Sequence, residues 1–278
     1  VTPNSILAEY LPKLPDADCN RIDAEILIAA AMGKNRSWLR AYGDEPIDDS
    51  QLIDIRALLE RRVKGEPVAH IIGEWEFYSL VLKVTPDTLI PRPETELLVD
   101  WALSVVKDLS SPKVLDLGTG TGAIAIAIKY ECDKAKVTAV ENSLAALKVA
   151  QENARLHKLN INFLQGSWFE PIESEKQFHI IVSNPPYIAK DDEHLRSGDL
   201  KFEPSSALTA GDDEYADIKQ IIEKAPNYLI NEGWLAIEHG YNQAEEVISL
   251  FEARGFKGVK NFKDYGNNPR FTIGQWHS

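Results

Sequence analysis

The sequence predicts an α/β protein: a doubly wound, mostly parallel sheet, preceded by a small helical bundle and joined to it by a β-hairpin. Three observations carry this expectation. From residue 113 onward, short runs rich in Val, Ile and Leu alternate with segments of helical periodicity, the pattern of repeated strand–helix units. Before residue 73 the periodicity is helical throughout. Between the two, apolar and polar residues alternate over 74–85, as Trp75, Phe77, Leu80, Leu82 and Val84.

Taken in order, Asp23–Met32 spaces its apolar side chains for a helix and stops at Gly33, a plausible C-cap. Asp48-Asp49-Ser50 precedes Leu52, Ile55, Leu58 and Leu59, a capped amphipathic helix, and Gly65-Glu66-Pro67 breaks it. These patterns define a helical domain over 1–72, a hairpin linker over 73–86 and a sheet domain over 87–278. In the last, strands are expected at 114–117, 137–140, 161–164, 179–182 and 234–237, with two more at 256–259 and 270–273. Helices are expected at 121–130, 144–157 and about 213–229. The acidic runs Asp191-Asp192-Glu193 and Asp212-Asp213-Glu214 suit helix starts, where the helix dipole favours negative charge.

Composition narrows the function. With 44% hydrophobic and 26% charged residues, the chain of 278 residues matches an ordinary globular protein. It contains no apolar run long enough to span a bilayer and no signal-peptide pattern, so a cytoplasmic location without membrane attachment is expected. Cys19 and Cys132 show no metal or disulfide spacing and are expected as free thiols, and the six histidines show no metal-ligand spacing. The net charge of −13 is spread along the chain, with 10 Lys/Arg against 14 Asp/Glu in residues 1–84 and 20 against 29 in 85–278. Such a balance argues against a grip on nucleic acid, which relies on a basic face, and suits a basic protein partner.

Two segments carry chemistry. Asp116-Leu117-Gly118-Thr119-Gly120-Thr121-Gly122 follows the first strand of the sheet domain and opens a helix, where glycines permit a tight turn and close approach of a ligand. Glu141 ends the next strand, 19 residues after Gly122, where a carboxylate can accept both hydroxyls of a ribose. Together they indicate an adenosine-type nucleotide but do not separate NAD from S-adenosylmethionine. The second segment, Asn184-Pro185-Pro186-Tyr187, ends the fourth strand and faces the same crevice. The prolines stiffen the turn and remove two donors. The Asn184 side-chain oxygen and the Pro185 carbonyl can then accept from one NH2 group, while Tyr187 can stack on a flat π-system. That arrangement fits methyl transfer to an amide or exocyclic amine.

The Asn-Pro-Pro-Tyr motif behind the glycine loop resembles class I S-adenosylmethionine-dependent methyltransferases acting on planar nitrogens. Further segments, Arg21–Leu27, Gly65–His70, Leu89–Glu96 and Lys201–Pro204, resemble the release factor glutamine methyltransferases (PrmC/HemK family) nearly end to end. The resemblance implies a Rossmann-like class I methyltransferase sheet with an N-terminal substrate-recognition bundle. It implies transfer of a methyl group from S-adenosylmethionine to the N5 amide nitrogen of the glutamine in the Gly-Gly-Gln motif of class 1 peptide-chain release factors. It also implies roles: Gly118, Thr119, Gly120, Thr121, Gly122 and Glu141 for the methionine and ribose parts of the cofactor, Trp168 beside the adenine, and Asn184, Pro185, Pro186 and Tyr187 around the glutamine, with Asn184 also bordering the cofactor. Two departures stand out: Glu141 where Asp is frequent, and Ser167 where an acidic residue often precedes the tryptophan.

Rival readings are weaker. A nucleic-acid adenine N6-methyltransferase shares the logic of the motif but needs a basic groove for a flipped base. An NAD-dependent oxidoreductase leaves Asn184–Tyr187 without a role, and a non-catalytic binding module leaves an intact site unused. Phe77 and Tyr78 could border the acceptor pocket or form interdomain core. Arg92 could contact the cofactor carboxylate or organise the entry to the first strand. Glu203-Pro204 could cover the site or anchor a loop, and His239 is expected to be structural.

Overall fold

A computed structural model describes residues 1–15, 19–173, 177–192, 195 and 198–278. The backbone contacts divide the chain into two units: Val1–Glu74 with Glu193–Phe202, and Trp75–Asp192 with Glu203–Ser278. The chain therefore passes from one unit to the other three times, because the segment Glu193–Phe202 is built into the first unit.

The first unit is helical: α1 (Pro3–Tyr10), α2 (Asn20–Ala31), α3 (Arg36–Tyr42), α4 (Asp49–Val63) and α5 (Val68–Ile72). Its caps follow local chemistry. The Thr2, Asn35 and Asp48 side chains accept N–H groups at the starts of α1, α3 and α4. Ile6, Leu27, Ile28, Ile55 and Leu59 are buried. Two charged side chains are buried with them and are satisfied. Glu25 receives Arg21, Arg36 and Arg40, and Arg62 donates to Asp23 Oδ2 at 2.8 Å and to Asp199 Oδ1 at 3.0 Å. The second Arg62 bond ties Glu193–Phe202 to α4.

The second unit opens within the hairpin of β1 (Glu74–Phe77) and β2 (Leu80–Lys83), at Trp75, and the hairpin turns through Tyr78 and Ser79 at φ 52° and 60°. Then come α6 (Glu96–Val106), β3 (Lys113–Leu117), α7 (Ala123–Glu131), β4 (Lys136–Glu141), α8 (Leu144–Leu156), β5 (Asn162–Gln165) and β6 (Phe178–Ser183). They are followed by α9 (Ser205–Leu208), α10 (Ala216–Lys224), β7 (Leu229–Glu238), α11 (Ala244–Arg254), β8 (Lys257–Lys263) and β9 (Pro269–Trp276). Among the described residues seven strands form one sheet in the order β5-β4-β3-β6-β7-β9-β8. All neighbours from β5 to β7 are parallel, and β9 pairs antiparallel with both β7 and β8. Strands buried on both faces, such as Val114-Leu115 and Ile180–Val182, read as continuous apolar runs for that reason. One apolar layer packs α6 and α7 on the sheet, and the other packs α10 and α11.

Strand order reverses between β3 and β6, so a crevice opens at their carboxyl ends. The expected strands are all present, with β7 several residues longer at its start than 234–237. Helices α6, α9 and α11 were not anticipated. The run Asp212–Glu214 forms a turn rather than a helix start: Asp213 accepts the Tyr215 N–H and pairs with Lys219, and α10 begins at Ala216. Asp191 and Asp192 likewise lie outside any helix, and Glu193 lies outside the described residues.

Candidate active site

The first wall of the site is the turn from β3 into α7. Gly118, Gly120 and Gly122 have φ of 72°, 56° and 84°. At two of them space forbids a side chain as well. A Cβ on Gly118 would lie 3.2 Å from the Trp168 ring, and one on Gly122 would lie 2.9 Å from Ile126 Cδ1 and 3.2 Å from Ala150 Cβ. The turn is pinned at both ends: the Gly118 and Thr119 N–H groups donate to the Val140 carbonyl at 2.9 and 3.0 Å. The Thr121 carbonyl accepts from Asn153 Nδ2 at 2.9 Å, and the same Asn153 amide also holds both backbone groups of Lys83 in β2. Beneath the turn, Thr119 Oγ1 donates to Asp116 Oδ2 at 2.5 Å. Asp116 is fully buried, and burial pushes its carboxyl up to about 7 against the hydrogen bonds from Thr119 and the Ala125 backbone.

The second wall comes from the ends of β4 and β5. Glu141 accepts the Gly120 N–H through Oε2 and the Ser143 N–H through Oε1, both at 2.9 Å. Its carboxylate is therefore held rigidly against the glycine turn. Trp168, at φ 49°, lays its ring beside Gly118 and donates Nε1–H to Asp217 Oδ1 at 3.2 Å. Asp217 sits in the first turn of α10, and burial raises its carboxyl above the usual range. Ser167 adjoins Trp168, and its backbone N–H turns toward Glu170.

The third wall is the turn after β6. Ser183 Oγ donates to the Leu117 carbonyl at 2.8 Å, which fastens the end of β6 to the end of β3. Asn184 Nδ2 donates to Thr95 Oγ1 at 3.4 Å, and Thr95 Oγ1 donates to Glu238 Oε2 at 2.7 Å. Glu238 ends β7, is 1% exposed, and its carboxyl is pushed by burial up to about 7. Tyr187 turns its phenol toward Arg270, its carbonyl accepts from Gln243 Nε2 at 3.0 Å, and burial raises the phenol's pKa.

These walls enclose one cavity of about 310 Å³. Gly118, Thr119, Gly120, Thr121, Glu141, Trp168, Asn184 and Pro186 line it, while Gly122, Pro185 and Tyr187 do not. Of the less specific candidates, Phe77 and Arg92 also line it. Arg92 pairs with Glu203 Oε1 at 2.5 Å, and Glu203, buried, accepts the Ile90 N–H at 2.9 Å through its other oxygen. Glu203 is thus an anchor for the segment that carries Arg92. Tyr78 is turned elsewhere, to Asp100. His239 is buried between Gly240 O and Thr272 Oγ1, a structural setting.

Sequence reading missed Thr95, Asp217 and Glu238. A signal existed for Glu238, a carboxylate ending a parallel strand like Glu141. Asp217 had none, because its helix begins later than expected. Among the described residues no group of three or more His, Cys, Asp or Glu is placed to hold a metal, and no helix is long and apolar enough to cross a membrane.

A parallel sheet whose switch point joins a glycine turn, a strand-end carboxylate and a proline-stiffened Asn-Pro-Pro-Tyr turn around one cavity defines a class I methyltransferase. Comparisons agree and narrow it. Residues 94–200 match the family model of the methyltransferase small domain, and residues 6–73 match that of the PrmC N-terminal domain. The chain is 46% identical to the release factor glutamine methyltransferase of Aliivibrio fischeri, over 95% of this chain and 93% of that protein. It is 44% identical to the one of Escherichia coli, over 98% of both. Solved structures share the fold at low identity: a methyltransferase from Pyrococcus furiosus (TM-score 0.55, 18% identity, 79% of this chain and 98% of that one) and the hMettl16 catalytic domain solved with an RNA hairpin (0.60, 15%, 86% and 85%). The chain belongs to the release factor glutamine methyltransferase family.

Proposed function

We propose that the protein methylates the N5 amide nitrogen of the glutamine in the Gly-Gly-Gln motif of class 1 peptide-chain release factors, in the cytoplasm, with S-adenosylmethionine as donor. The observation that carries this reading is the opening of the Asn184 turn onto the same cavity as the glycine loop and Glu141.

The cavity's donor set suits the cofactor. Glu141 faces the space where a ribose diol would lie, Trp168 offers a flat face to a purine, and Asp217 offers a carboxylate to an exocyclic amine in place of the acid absent at 167. The glycine turn Gly118–Gly122 leaves backbone rather than side chain against the amino-acid portion. When bound, S-adenosylmethionine supplies an electrophilic methyl carbon on a sulfonium.

The rest falls to this chain's residues. An amide nitrogen is a poor nucleophile because its lone pair is delocalised. Asn184 Oδ1 and the Pro185 carbonyl would accept its two N–H bonds, which aims the nitrogen and stabilises positive charge as it develops. Pro186 keeps that turn from relaxing. Tyr187 is not among the residues that line the cavity, and its phenol, turned toward Arg270, would hold the turn from behind rather than stack on the amide. No side chain need act as base, since an alkylated amide nitrogen is acidic enough to lose its proton to water. Residues 1–72 would recognise the release factor, residues 73–86 would link, and residues 87–278 would perform the transfer.

The test is incubation with labelled S-adenosylmethionine and purified release factor, followed by peptide mass spectrometry. The methyl is expected on the Gly-Gly-Gln glutamine, and Asn184→Ala is expected to lower kcat by roughly 10²–10³-fold, as for loss of one charge-stabilising acceptor or donor. A methyl found in nucleic acid and none in the protein would overturn the reading.

A further inference from the structure

The hydrogen-bond chain behind Asn184 has a polarity. Thr95, 4% exposed, stands between Asn184 and Glu238, and both neighbours reach the same hydroxyl oxygen. A hydroxyl has one proton to give and lone pairs to accept with. An ionised Glu238 can only accept, so the Thr95 proton is committed to it at 2.7 Å. The Thr95 oxygen is then left as an acceptor, and only the NH2 end of the Asn184 amide can satisfy it; the carbonyl end would be repelled. The amide oxygen is thereby turned away from Thr95. We propose that Thr95 and Glu238 are positioning residues for methyl transfer, a polarised relay that decides which end of the Asn184 amide meets the acceptor nitrogen. This rests on the reading above, in which Asn184 accepts from the substrate.

The relay has a second polarity. A protonated Glu238 can donate to Thr95 Oγ1, which frees the Thr95 proton for the Asn184 oxygen. The amide is then stable with its NH2 end toward the cavity, where it presents donors to a substrate that also presents donors. Around Glu238 stand Arg270 from β9, Arg92 and Glu94 from the segment leading to α6, and Tyr187 from the turn after β6; the two guanidiniums favour its charge and Glu94 opposes it. Burial outweighs the guanidiniums and places the carboxyl near neutrality, so both polarities lie within an accessible pH range.

The experiment compares Thr95→Val, Thr95→Ser, Glu238→Gln and Asn184→Ala in the full chain with a Gly-Gly-Gln peptide, measuring kcat and KM across pH alongside calorimetric affinity for S-adenosylhomocysteine. Thr95→Val, which keeps shape and loses the hydroxyl, should lower kcat by about 10–100-fold with KM and cofactor-product affinity within about 3-fold of the parent. Thr95→Ser should restore kcat to within about 3-fold. The parent's kcat should fall toward acid pH, and Glu238→Gln should abolish that fall. Retention of kcat by Thr95→Val while Asn184→Ala loses it overturns the relay alone. Retention of kcat by Asn184→Ala overturns the acceptor role beneath it, and the relay with it. Failure of Thr95→Ser to rescue, or equal loss of cofactor-product affinity in Thr95→Val, also overturns it, because hydroxyl polarity would then not be the cause.

Discussion

Glu141 holds two backbone N–H groups at 2.9 Å with a single carboxylate, and this fixes both its own orientation and the shape of the glycine turn. Glu141→Ala should therefore weaken S-adenosylmethionine binding by about 1.5–3 kcal/mol, the range for hydrogen bonds to a charged group, readable by calorimetry on the folded variant. Asp116 shows the opposite kind of carboxylate, one whose charge is poorly supported. Burial raises its pKa from 3.8 to about 7, so the folded chain holds the proton more tightly than the unfolded chain does. Its contribution to stability is full below about pH 4, is lost as pH rises toward 7, and is gone above that. Asp116→Asn should accordingly raise the melting temperature of the ligand-free protein at pH 8 and leave it nearly unchanged at pH 4; an equal gain at both would exclude this account. At this scale the sequence revealed residues whose neighbours in the chain explain them, such as Gly118 and Asn184. Thr95, Asp217 and Glu238 matter through partners up to 143 positions away, and no local pattern reports such pairings.

The element that most constrains the site is the glycine turn with the start of α7. Gly122 has φ 84° and packs against Ile126 and Ala150, so it is fixed by backbone and by the approach of α8 together. Gly122→Ala should destabilise the fold by about 1–3 kcal/mol in denaturant titration, and cofactor affinity should fall with it as α7 shifts from α8. Among the described residues Gly120 has no atom beyond its chain neighbours within 4 Å of an added Cβ, so Gly120→Ala meets the positive φ of 56° and should be the milder change. The central strands were legible because β3 and β6 are buried on both faces and carry unbroken apolar runs. Helix α6 was not, because Glu-Leu-Leu-Val-Asp-Trp-Ala-Leu-Ser-Val-Val is apolar around much of its circumference and suits several structures equally. The onset of α10 was misplaced because Asp213 uses its carboxylate on Tyr215 and Lys219 and so makes a turn where a helix start was expected.

At the scale of the molecule, the −13 charge leaves both units acidic in sequence. The fold class could be read from periodicity alone, whereas the membership of Glu193–Phe202 in the first unit could not. That membership rests on contacts such as Arg62 to Asp199, across 137 positions. It also changes what a single broken peptide bond can do. With one crossing, a cut between Glu74 and Trp75 would leave each unit on a chain of its own. Here the carboxyl-terminal piece still carries a strand of chain that completes the amino-terminal one, so the cut protein is a split pair whose halves hold each other without a covalent link. It should give two bands on a denaturing gel and elute as one species on native size exclusion, and Arg62→Ala, by loosening the clasp on Asp199, should let the halves drift apart.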